Sequence, residues 1–258
     1  MGGTQVTIVL FVVTVLAWYT LRLLAHWWTP ARHAVDRLSP YTLRLHAWVL
    51  TAPATFAYIA IFTASTLLQK TAPPRLIDLL TKLQSTNIRH LNLDPVIALA
   101  DSALWVANKG SGLIFYIVLY GCVVAWAEPR YGTPRMVVIG VSGHVFGSLL
   151  TSLVERSAIS SGRAPHRLAL TTDVGVSYIM VAGCVAAVVL MRGRWRIAGV
   201  AALTIGIVVP LFVTHTLWNL GHFFATAVGL LVALVSLKVA PARTPVNVRP
   251  CLAQAAAT

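Results

Sequence analysis

The chain has 258 residues, 57% of them hydrophobic and 10% charged, and its formal net charge is +13. So low a charged fraction, against roughly 25% in soluble domains, excludes a water-soluble globule, and continuous rather than alternating apolar runs exclude a membrane β-barrel. Nor does the charge make a nucleic-acid binder: the 20 Lys and Arg are scattered among the loops, the pattern of membrane topology and anionic headgroup contact.

The predicted elements are helices, beginning with a first span at Val6–Leu24. No small-residue cleavage site follows it, so it reads as a retained span rather than a signal peptide. Trp27 and Trp28 mark an interface. The stretch 25–47, with Arg32, Arg37 and Arg44 against Asp36, is predicted as a loop. Trp48–Leu68 is the second span, with Pro53 in its first turns, where proline is tolerated. Residues 70–110 form the longest non-spanning stretch, with an amphipathic piece at Leu76–Leu83. Asp94-Pro95 predicts a helix start, an acid cap followed by proline at the first helical position. Val96–Val106 is apolar but too short to span, which predicts an interfacial or re-entrant piece with Trp105 as its anchor.

Gly112–Ala127 is the third span, Glu128–Arg135 a tight turn, and Met136–Val154 the fourth span. Glu155–Thr172 is predicted as a polar loop in which Glu155 and Arg156 form a solvated pair. Val174–Met191, Ile197–Val213 and Trp218–Leu237 are the fifth to seventh spans. A mobile, Pro/Ala/Thr-rich tail follows from Lys238. Loops 25–47, 128–135, 192–196 and the tail, with Arg22, hold twelve of the 20 Lys and Arg. That bias predicts a multi-pass plasma-membrane protein with its N-terminus outside and its C-terminus in the cytoplasm. His215 falls in the outer turn before the last span.

Two residues stand out against these apolar runs. Ser177 lies about one turn below the start of the fifth span and His222 about one turn below the start of the seventh, both near the outer face. A hydroxyl and an imidazole at matching depth form a nucleophile–base pair if the two helices touch. Gly221, Ala225 and Gly229 give the His222 helix a small-residue ridge that permits close approach. Asp173 is expected to cap the fifth span, with orientation of His222 as the alternative. His144, halfway along the fourth span, is read either as a helix–helix hydrogen bond or as an oxyanion donor. Cys122, Cys184 and Cys251 make no disulfide framework or zinc site, so no metal and no cofactor are expected. Few acids lie at membrane depth and no inverted repeat is visible, which disfavours a transporter.

The Gly175-x-Ser177 motif, His222 with small residues every fourth position, and the turn Glu128-x-Arg130-x-Gly132 together resemble the rhomboid intramembrane serine proteases. Gln84-Ser85-Thr86-Asn87, Asp94-Pro95, Ser102-Ala103-Leu104-Trp105 and Asp173–Tyr178 are similar to the rhomboid-like membrane proteins of actinobacteria. The resemblance covers about residues 47–237. It implies an all-α, six-helix transmembrane core, with residues 1–46 adding one helix and a loop and 238–258 a flexible cytoplasmic tail. It further implies a Ser177–His222 dyad that cleaves single-span membrane proteins near the outer leaflet. The chain departs from the family at three places. Tyr178 stands where rhomboids keep a glycine, Gly112 and Tyr116 where they keep the oxyanion histidine and asparagine, and Val181 where they keep a tyrosine. These departures support an alternative: an inactive rhomboid-like protein that binds partner helices. The sequence leaves the oligomeric state open.

Overall fold

Proline and capping acids decide where helices begin in this chain. The computed structural model describes residues 3–106 and 112–246, and every regular element among the described residues is helical. Helices α1 (Gly3–Leu24) and α2 (Thr29–Thr51) form one unit, α1 packing on α2. The stretch predicted as a loop at 25–47 is therefore mostly helix. No glycine interrupts residues 29–51, and Ala31, Val35 and Leu38 recur at helical spacing. Its arginines decorate an amphipathic helix rather than a loop.

The second unit is Ala52–Pro245, and it opens where the predicted second span breaks. Ala52 is non-helical, with φ −133° and ψ 58°, and Pro53 starts α3 (Pro53–Thr71). Proline pushes the residue before it out of the α region and suits a first helical position. Trp48–Leu68 is therefore not one continuous helix. The stretch after it folds into α4 (Pro74–Leu83), α5 (Ile88–Leu93) and α6 (Pro95–Ser102). Asp94 Oδ1 accepts from the Ile97 amide at 3.1 Å, the predicted acid-plus-proline start. Trp105 is buried, and its Nε1 donates to Thr81 Oγ1 at 2.9 Å, so it ties α4 down from inside.

The remaining helices are α7 (Leu113–Tyr131), with a π-helical turn at Tyr120–Val124, α8 (Thr133–Ser160), α9 (Val176–Leu190), α10 (Arg194–Val213) and α11 (Leu217–Val239). Of these, α7, α8, α10 and α11 are long and apolar enough to cross a membrane, and a fifth crossing is counted when α2 and α3 are taken as one broken span. The chain is thus an all-helical, multi-pass membrane protein. At 15 residues α9 extends about 22 Å, short of the roughly 30 Å hydrocarbon core. Yet it is the centre of the bundle, buried along most of its length and packed on α7, α8 and α11.

The polar loop predicted at Glu155–Thr172 begins later than expected, because α8 continues to Ser160. Nothing breaks the helix there: the next glycine is Gly162. Glu155 is only 5% exposed, and Arg156 donates to Asn92 Oδ1, so these two residues are not a solvated pair.

The Glu128 turn is a structural junction. Its carboxylate accepts from the Ala54 amide at 3.0 Å, the Thr55 amide at 2.8 Å, Thr55 Oγ1 at 2.6 Å and Thr133 Oγ1 at 2.8 Å. It satisfies the orphan amides at the start of α3 from a point 74 residues away. Gly132, at φ +85°, makes the sharp reversal between α7 and α8 that a side chain would strain. Arg135 donates to the carbonyls of Ser236 and Ala240, and the Arg243 amide to the Arg130 carbonyl at 2.7 Å. The start of the predicted mobile tail is thus held, while 247–258 lie outside the described residues.

Candidate functional site

The site gathers where the loop ahead of α9 is stitched to the α4–α6 segment. Asp173 N donates to Ser85 Oγ at 2.7 Å, Thr86 N to the Asp173 carbonyl at 3.0 Å, and Gly175 N to the Ser102 carbonyl at 2.8 Å. From the other side Trp218 Nε1, on α11, donates to the Thr172 carbonyl at 3.0 Å. Asp173 does not cap α9: the N-cap residue is Gly175, with no side-chain cap bond. Instead its Oδ2 accepts from the Tyr178 hydroxyl at 2.8 Å and from Thr86 Oγ1 at 3.3 Å. Burial pushes the Asp173 carboxyl up from 3.8 to about 6, while the bonds from Tyr178 and Thr86 pull the other way.

Tyr178 is the centre of this arrangement. It is 1% exposed, and its ring lies between two imidazoles, 6.2 Å from His144 on α8 and 5.3 Å edge-to-face from His222 on α11. Its hydroxyl sits against Gly221; a Cβ there would overlap it. The small-residue ridge predicted on α11 is thus real, and its first member makes room for a phenol. Lower down, Gly229 lets α11 approach α9 closely, since a Cβ there would come 2.6 Å from Ala182 Cα.

Ser177, one residue earlier, is half-buried, and Tyr116 of α7 lies beside it. Among the described residues no hydrogen bond joins Ser177 to His222; the imidazole meets the Tyr178 ring instead. Tyr116 thus stands beside the serine, at the position where the resemblance puts the family's oxyanion asparagine, and supplies a phenol in place of an amide. Gly112, the other such position, contributes no side chain. Val181 is buried, and the aromatic that packs on His222 comes from Tyr178.

His144 is 3% exposed, and its Nε2 donates to the Leu99 carbonyl at 2.9 Å, with Ser102 Oγ at 3.3 Å. It therefore pins the end of α6 to α8. A Cβ on Gly175 would collide with the His144 ring, so that glycine is required by a close approach. Nothing in the sequence linked His144 to Leu99, 45 residues earlier. No group of three His, Cys, Asp or Glu among the described residues is placed to hold a metal ion.

A family model described as rhomboid-like protein matches residues 47–240. The chain belongs to the rhomboid-like protein family. Searches of curated proteins and of solved structures return no match. The match begins ahead of α3 and closes just past α11, so it takes in every element that positions Ser177, Tyr178 and His222 in this rhomboid-like protein.

Proposed function

We propose that this rhomboid-like protein binds the membrane helices of partner proteins and does not cleave them. The observation that carries this reading is Tyr178. Its ring occupies the place beside His222, and its hydroxyl is held by Asp173. Among the described residues the Ser177 hydroxyl, meanwhile, has no hydrogen bond to His222, whose imidazole meets the Tyr178 ring. A serine without a hydrogen-bonded base is a weak nucleophile at neutral pH. Loss of one oxyanion donor costs about 10²–10³ in rate, and neither family donor is kept at Gly112 or Tyr116.

What supports helix binding is α10. Only 6% of its apolar window is covered by the rest of the chain. Ala198, Ala202 and Gly206 are exposed at intervals of four, and a Cβ on Gly206 would meet nothing within 4 Å. Small residues at that spacing let a second helix approach closely in lipid. In this reading α3 and α7–α11 are the six-helix core, α1 is an added span, and the chain sits in the plasma membrane with its N-terminus outside. The Gln84–Asn87, Asp94-Pro95 and Ser102–Trp105 motifs group it with the actinobacterial members.

The second reading, proteolysis by Ser177 and His222, has its support in the Gly175-x-Ser177 motif and in the partial exposure of Ser177. In vivo photo-crosslinking separates the two. A crosslinking residue at Ile205 or Phe212, exposed on α10, should capture intact single-span membrane proteins. The same residue at Val137 or Leu149 on α8 should capture few. Capture of truncated partners, with full length restored by Ser177→Ala, would overturn the binding reading.

A further inference from the structure

Helices α4, α5 and α6, with Leu170, line an open groove that the function described so far does not use. Its volume is about 610 Å³, and Leu83, Leu93, Ile97 and Leu170 line it, with Lys82 and Arg89 at its rim. Two properties of the segment narrow its occupant. The first is apolar exposure: Leu93, Val96 and Ile97 are 74%, 74% and 56% exposed. The helices that carry them have 6 and 8 residues and cannot cross a bilayer. Side chains of that kind on a membrane protein sit at the boundary of headgroup and acyl chain, not in water. The second is unpaired positive charge. Lys82 and Arg89 are exposed and take part in no hydrogen bond or ion pair among the described residues. The one acid in the groove, Asp94, has its Oδ1 committed to the Ile97 amide.

An apolar trough rimmed by two free cations at headgroup depth has the complement of one class of molecule. It offers acyl-chain contact below and phosphate contact above. From this geometry we infer that the α4–α6 groove holds an anionic phospholipid, its phosphate between Lys82 and Arg89 and one acyl chain along Leu93 and Ile97. A lipid bound there braces the segment to which the Asp173 loop is stitched through Ser85, Thr86 and Ser102.

The test uses the full chain in phosphatidylcholine nanodiscs carrying a minor fraction of phosphatidylglycerol, with bound lipid counted by native mass spectrometry. The wild type should retain phosphatidylglycerol in preference to phosphatidylcholine. At about 1 kcal/mol per headgroup cation, Lys82→Gln or Arg89→Gln should weaken retention about fivefold, and the double variant about twenty- to thirty-fold. Leu93→Ser/Ile97→Ser should weaken it as well. Arg192→Gln/Arg194→Gln, which removes two exposed cations from another turn, should leave it unchanged. All five variants should melt as the wild type does, since none of these side chains is a buried part of the fold. Three results would overturn the inference: full retention by the Lys82/Arg89 double variant, equal retention of phosphatidylcholine, or displacement of the lipid by millimolar inorganic phosphate alone.

Discussion

Replacing Glu128 by glutamine should be among the most destabilising single-atom changes available in this protein. The carboxylate takes four hydrogen bonds, from the Ala54 and Thr55 amides and from the Thr55 and Thr133 hydroxyls, in a site with no solvent exposure. An amide keeps one acceptor oxygen and turns the other atom into a donor. The threonine hydroxyls can rotate and accept from it; a backbone N–H cannot. One of the two α3 amides then faces an N–H at about 3 Å with no other partner. Losing a charge-assisted bond costs about 1.5–3 kcal/mol, and a buried unsatisfied donor about 1–3 kcal/mol. The sum is roughly 3–5 kcal/mol, or about 6–20 °C in melting temperature for a chain of this size. Thr133→Val removes one donor and leaves three, so its cost should be about 1 kcal/mol. Thermal unfolding of the purified protein in detergent, followed by intrinsic tryptophan fluorescence, reads both. A glutamine variant that melts within about 2 °C of the wild type would refute the idea that this carboxylate fastens α3 to the α7–α8 turn.

Three further outcomes follow from the site. Gly175→Ala should lower the melting temperature through its overlap with the His144 ring, and Gly175→Ala/His144→Ala should cost clearly less than the sum of the two single changes, a coupling that a double-mutant cycle measures. Gly221→Ala should be destabilising through the Tyr178 hydroxyl, and Tyr178→Phe in the same chain should relieve part of that loss. For Asp173, burial raises the folded-state carboxyl from 3.8 to about 6; the folded state then binds the proton more tightly, so this group's contribution to stability is largest below pH 4, falls between pH 4 and 6, and is flat above. A melting series over pH 4–8 should show Asp173→Asn without that component, whereas identical slopes in the two proteins would contradict it.

Much of the bundle could be read from residue patterns because the signals are local. Asp94-Pro95 starts α6 and the apolar run at Trp218–Leu237 is α11, since a cap or a lipid-facing run needs no distant partner. The Gly221–Ala225–Gly229 ridge was legible too, because close approach of helices requires small residues wherever it occurs. Charge misled twice. Arg32, Arg37 and Arg44 suggested a loop but sit on α2, and Glu155 suggested solvent but lies 95% buried on α8; charge marks a polar face, not an absence of helix.

The contacts that define the site were not legible, because each joins residues far apart in sequence. Glu128 reaches Thr55 across 73 positions, and His144 reaches Leu99 across 45. Tyr116 is the instructive case. Its position was marked as unlike the family's, but only coordinates put it beside Ser177. Tyr178 likewise read as an obstacle, and the structure adds that Asp173 and Gly221 hold it in place.

The central claim is that Ser177 has no working base, and a serine-directed fluorophosphonate probe tests it most directly. The purified protein, in detergent and in bilayers, should remain unlabelled while its fold is intact by thermal melting. Labelling of the wild type that disappears in both Ser177→Ala and His222→Ala would contradict the account and restore the protease.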